Sequence, residues 1–181
     1  GHLCEIHAQR RRGVPDPSVT RDSLLAYQRA LAKAENSYLR SSVLGHAATV
    51  AMQAGEIDLA RSYAQELVDG AQAIPEIQVD GDAIYTGHSV LGLVALAAND
   101  LDEASRELLQ AGQTSGSPVL GSFGPELDLA DALLQQGRSE IVVEFLEQCT
   151  KFWDEPCLRR WIKRIQAGER PKLDRHDCGA E

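Results

Sequence analysis

From residue 41 onward the apolar positions recur at steps of three and four, the spacing of one helix face, and no stretch reads as a convincing strand. Upstream, Leu24, Leu25, Tyr27, Leu31 and Ala34 form one stripe, which predicts a first helix capped by Ser18 or Thr20. Before it, residues 1–17 are broken by Gly13, Pro15 and Pro17 and read as an irregular arm. Near the other end, Pro156 opens a helix with Leu158, Trp161, Ile162 and Ile165 on one side, stopping near Gly168 ahead of Pro171. The pattern predicts an all-α chain: a single helical-repeat domain over 18–168 and a tail over 169–181, frayed from 172 on.

The helices between 41 and 150 repeat. Gly55, Asn99 and Gly137 are each followed three residues later by an acid (Asp58, Asp102, Glu140) and two further on by a small apolar residue (Ala60, Ala104, Val142). Gly and Asn tolerate the left-handed conformation that ends a helix, and an acid suits the positive start of the next. Twelve residues before the small apolar position stand Ala48, Gly92 and Ala130; nine before it, Ala51, Ala95 and Leu133; thirteen before it, Ala47, Leu91 and Leu129. Four after it come Ala64, Leu108 and Leu146, and seven after it Leu67, Ala111 and Cys149. Small residues at fixed places on the first helix let the second lie close against it, the logic of stacked helical hairpins.

This register resembles the tetratricopeptide repeat: a small residue in the first helix, a turn near its end, and a small residue opening the second. The resemblance is degenerate. No Trp starts the first helix, and Ala60 to Ala104 spans 44 residues and Ala104 to Val142 spans 38, against a usual ~34. The excess falls in 70–82 and 112–124, loops expected to emerge on one edge. The implied fold is a short tetratricopeptide-like α-solenoid of about three helix hairpins with flanking N- and C-terminal helices. Its inner face would be lined by Gly45, Thr49 and Gln53, then Ser89, Leu93 and Ala97, then Leu127, Asp131 and Gln135. That lining lacks the Lys and Arg set with which some members grip chaperone C-terminal carboxylates. Arg159, Arg160, Lys163 and Arg164 on the last helix read as a solvating cap.

Composition narrows the partners. With 43% apolar, 25% charged and 5% aromatic residues, the 181-residue chain is an ordinary globular length for one core. Its net charge of −9 and the single dense basic run, Arg10–Arg12, argue against a nucleic-acid partner. Cys4, Cys149, Cys157 and Cys178 have neither zinc spacing nor the density of a disulfide framework; Cys149 is expected as a buried free thiol. No apolar run approaches the ~20 residues of a membrane span and no signal peptide is visible, so a cytoplasmic location is expected. The chain begins Gly1-His2 without Met, which reads as a trimmed start.

The stretch Gly112–Pro125 (GQTSGSPVLGSFGP) carries Val119, Leu120 and Phe123 among its Gly, Ser and Pro residues, and so reads as an ordered loop, with Pro125 in the first turn of the next helix and Ser122 or Gly124 near its cap. Together with His88, Cys149 and Phe152-Trp153, its Gly116-Ser117-Pro118 and Ser122-Phe123-Gly124-Pro125 elements resemble an uncharacterised bacterial family with GSP/SFGP and Phe-Trp motifs. Members of that family carry histidines near the places held here by Tyr85 and Thr86, so no role of theirs carries over. Asp80, Asp82 and His88 have cation-binding residue types, but Asp80 and Asp82 also suit a helix start, and neither a metal nor a cofactor is expected. His46 lies mid-helix with no evident partners; Cys157 and His176 sit too near the end to argue a dyad; and Ser117 and Ser122 lack a nucleophile-elbow context. Phe152, Trp153 and Trp161 are expected to close the core against the last helix.

Two readings follow. The first is a protein- or peptide-binding scaffold or adaptor module with residues 112–125 at the rim of its groove, short enough that a homodimer would add avidity. The second is a small enzyme or small-molecule binder with a pocket between 82–88 and 112–125. The balance falls against an enzyme. Across both, the candidate ligand-binding residues are Tyr85, His88, Ser89, Ser117, Ser122, Phe123 and Asp131.

Overall fold

A computed structural model describes residues 17–34, 36–72 and 81–174, and among them the chain is all helical, with nine α-helices and no strand. They are α1 (Pro17–Leu31), α2 (Ser37–Gln53), α3 (Ile57–Gln72), α4 (Gly81–Ala97), α5 (Leu101–Gly112), α6 (Pro118–Phe123), α7 (Asp128–Gln135), α8 (Ser139–Cys149) and α9 (Pro156–Gln166). The expectations for Arg10–Arg12, Cys4, Asp80, His176 and Cys178 lie outside the described residues. No helix of the described residues is long and apolar enough to cross a membrane.

The three joints read from the sequence are built alike. Gly55, Asn99 and Gly137 have φ of +77°, +59° and +85°. At each, the following amide reaches back over the turn: Glu56 N–H to Ala51 C=O, Asp100 N–H to Ala95 C=O, and Arg138 N–H to Leu133 C=O. This six-to-one bond closes the carbonyls that a helix end leaves open and turns the chain into the next helix. Side-chain caps add to it. Asn36 accepts from the Leu39 amide at 2.9 Å, and Asp100 from the Glu103 amide at 3.0 Å.

Packing follows the chain. α2 pairs with α3, α3 with α4 and α4 with α5, while α2 also touches α4; beyond them α5 meets α7 and α8, and α8 meets α9. Between α2, α3 and α4 the interface is made of small residues. Ala47, Ala48, Ala51, Ala60 and Ala64 are wholly buried, and a Cβ on Gly87 would stand 2.5 Å from Val68 Cγ2 and 3.2 Å from the Ala64 carbonyl oxygen. Backbones approach that closely only where side chains are absent or short. Around α7–α9 the core is filled instead by Leu133, Leu134, Phe145, Leu146, Leu158 and Trp161.

Three expectations are corrected. First, residues 112–125 hold a helix of their own: Pro118 opens α6, the Ser117 side chain caps it by accepting from the Leu120 amide at 3.0 Å, and Gly124 (φ +74°) ends it. Pro125 therefore precedes α7, whose N-cap is Leu127, and neither Ser122 nor Gly124 caps that helix. Second, residues 172–174 are packed where fraying was expected, while 175–181 lie outside the described residues. Gly168 (φ +87°) ends α9 with the same bond as the three joints, Glu169 N–H to Arg164 C=O. The chain then leaves the helix, burying Pro171 and Leu173 while Arg170 and Lys172 face solvent. Third, Cys157 is disulfide-bonded. Pairing depends on two cysteines meeting in space, which linear spacing does not encode. Cys149 is the buried free thiol expected, its pKa pushed well up by burial.

Candidate functional site

On α2 and α4 the residues expected to line the inner face end on an exposed position. Gly45 and Thr49 are half-buried and Gln53 is exposed; Ser89 and Leu93 are half-buried and Ala97 is exposed. On the third unit Leu127 is buried, Asp131 half-buried and Gln135 exposed. The Thr49 hydroxyl donates to the Gly45 carbonyl at 2.9 Å, one turn back along α2. Ser89 Oγ is buried and has no hydrogen-bond partner among the described residues, a polar atom that gains from any donor or acceptor brought to it.

Residues 112–126 are fastened to α4 by three bonds. Ser117 Oγ donates to Asp82 Oδ1 at 2.6 Å, Thr114 Oγ1 donates to the Gly81 carbonyl at 3.0 Å, and Tyr85 OH donates to the Glu126 carbonyl. Tyr85 is buried against Phe145, their ring centroids 6.4 Å apart. Tyr85 and Ser117 thus spend their hydroxyls on holding the segment in place. Beyond them α6 projects its surface: Ser122 is exposed, and Val119 and Phe123, one turn apart, are 54% and 71% exposed.

His88 turns to a different neighbour. Its Nδ1 lies 2.7 Å from Glu107 Oε2 of α5, with the two side chains 12% and 16% exposed. The structure therefore brings Ser117 to Asp82 at the α4 start, turns Tyr85 to Glu126 and Phe145, and ties His88 into the α4–α5 seam. His46 stacks on Tyr27, ring centroids 5.7 Å apart. Among the described residues no group of three or more His, Cys, Asp and Glu side chains is placed to hold a metal ion.

Asp131 is already engaged. Its Oδ1 accepts from the Leu173 amide at 3.0 Å, and one turn along α7 the Gln135 carbonyl accepts from Arg170 Nη1 at 3.1 Å. Sequence reasoning passed over Leu173 and Glu107. A single leucine between Lys172 and Asp174 shows no periodicity, whereas Glu107 sits on the second helix of the same hairpin as His88 and was within reach of the register. Comparison with protein-family models, curated proteins and solved structures finds no match to this chain.

Proposed function

We propose that the chain is a helical-repeat module of tetratricopeptide-like design that binds a peptide or an extended segment of a protein partner along α2, α4 and α7. The observation that carries this reading is the shared register of the three helices. On each, the first two positions are half-buried or buried (Gly45 and Thr49, Ser89 and Leu93, Leu127 and Asp131), and the third, Gln53, Ala97 or Gln135, reaches solvent. A lining of mixed apolar and polar groups suits a partner that buries alternate side chains and keeps its backbone bonds. The rim is the pinned 112–125 segment, with Val119 and Phe123 exposed on α6.

The test is selection of peptides from a random display library on the folded protein, followed by titration of an enriched peptide against the unaltered chain and Leu93→Asp. Loss of binding in Leu93→Asp, with helix content and cooperative unfolding retained at a lower melting point because Leu93 packs against the core, is the expected result. Failure to enrich any peptide, or binding indifferent to Leu93→Asp, would sink the reading.

The second reading, a small enzyme or small-molecule binder, draws on the His88–Glu107 pair. A carboxylate on Nδ1 fixes the imidazole and leaves Nε2 for a ligand. Its test is thermal unfolding against a metabolite panel: a ligand at 100 times its dissociation constant adds about 2.7 kcal/mol, and the shift should vanish in His88→Ala.

A further inference from the structure

We propose that residues Arg170–Leu173 are a built-in ligand of the third groove unit, and that the same seat takes an extended partner peptide of the form Arg-Pro-x-Leu. This deepens the groove reading and rests on it, because Asp131 and Gln135 are the third unit's groove positions.

The case begins at Gly168. It lies five residues before Leu173, as Gly55, Asn99 and Gly137 lie five before the buried Ala60, Ala104 and Val142. After the first three turns a helix follows. After Gly168 no helix follows within the described residues, and the chain crosses onto α7.

There it has the features of a bound peptide. Pro171 and Leu173 point inward and Arg170 and Lys172 outward, the alternation by which an extended chain buries every second side chain. Leu173 is 6% exposed within the aromatic core. Its amide donates to the Asp131 carboxylate at 3.0 Å, and the Arg170 guanidinium donates to the Gln135 carbonyl at 3.1 Å, close to the negative end of α7. The arginine, the leucine and the leucine's main-chain donor are thus each read by a different feature of the seat.

Residues 169–174 lie in no helix and are held by side-chain contacts to α7 and by Pro171 and Leu173 in the core. A segment outside the helices opens at less cost than global unfolding. Tethering gives the segment an effective concentration of roughly millimolar, so a free peptide at micromolar concentration does not displace it until the tether's own contacts are weakened.

The experiment uses the full chain, with a reductant present so that the Cys157 disulfide holds nothing in place. A fluorescein-labelled peptide copying residues 169–174 is titrated, by anisotropy, into the unaltered protein and into Arg170→Ala/Leu173→Ala. Expected are no saturable binding to the first, saturable binding to the second, loss of binding when the peptide's leucine becomes alanine, and about tenfold weaker binding when Asp131→Asn is added. A double variant that melts cooperatively and binds no peptide, or binds it regardless of Asp131→Asn, overturns the proposal. Should the double variant not fold, amide exchange in the unaltered chain decides. Exchange at Leu173 faster than at Leu134 of α7 supports a segment that opens locally, and exchange at the same rate makes it a fixed part of the core. Leu93→Asp tests the groove at α4 with different peptides, so either idea can fail while the other stands.

Discussion

The two halves of the molecule share one register and fill it differently. In α2–α4 the contact positions are alanines, wholly buried at 47, 48, 51, 60 and 64, on helices of 17, 16 and 17 residues. In α7–α9 they are leucines, Phe145 and Trp161, on helices of 8, 11 and 11 residues. Long helices reach their core through close backbones with a few branched side chains between them, Leu44, Leu67, Val90 and Val94, whereas short ones need larger side chains to reach a comparable core. The register survives the change because it is set by the joints, where the same backbone bond recurs after Gly55, Asn99 and Gly137.

The contrast can be broken from either side. The largest effect is expected for Trp161→Ala, which empties the aromatic half and should cost about 3–5 kcal/mol in urea unfolding. A loss below about 1 kcal/mol would mean that α9 contributes little to the core. In the alanine half the damage comes from addition. Ala60→Leu forces α2 and α3 apart and should cost about 1–3 kcal/mol. The same change at Ala54, exposed at the end of α2, should cost within about 0.5 kcal/mol.

Cys149 sharpens the comparison, since it fills the place held by Leu67 and Ala111 in the other hairpins. Burial raises its folded pKa, so the unfolded chain loses the thiol proton first. Its contribution is fully present below the unfolded thiol pKa of about 8.5 and falls by about 1.4 kcal/mol for each pH unit above it. Unfolding midpoints at pH 7.5 and pH 9.5, compared with Cys149→Ala, should reveal that slope, and native-state alkylation of Cys149 should be negligible. The smallest effect is expected at the surface. Arg138 Nη2 bridges to Asp102 Oδ1 at 2.7 Å between neighbouring units, yet both groups are well exposed, and Arg138→Ala should cost no more than about 1 kcal/mol.

What the sequence made legible was the joints, because left-handed backbone restricts the residue to Gly or Asn, and the small-residue register, because close helices exclude bulk. α6 was there to be read in Ser117-Pro118, a cap and first-turn pair, but Gly112, Gly116, Gly121 and Gly124 around it gave the stretch the look of a loop. The candidate site was less legible. His88 meeting Glu107, the Asp82–Ser117 bond across 35 positions and the Leu173–Asp131 bond across 42 depend on how units are stacked, and periodicity speaks only of the helix on which a residue sits. The Cys157 disulfide belongs to the same class.

The pairing of helices with their neighbours in sequence also bears on how the chain reaches this state. Few contacts must wait for distant segments to meet, so little loop-closure entropy stands before the first stable hairpin, and collapse should proceed in milliseconds or faster. A nascent chain that has emerged only as far as α5 already holds most partners of its alanine-lined half. The aromatic half gains Trp161 only when α9 arrives, so synthesis itself imposes an order in which the tight half forms first and the bulky half settles onto it.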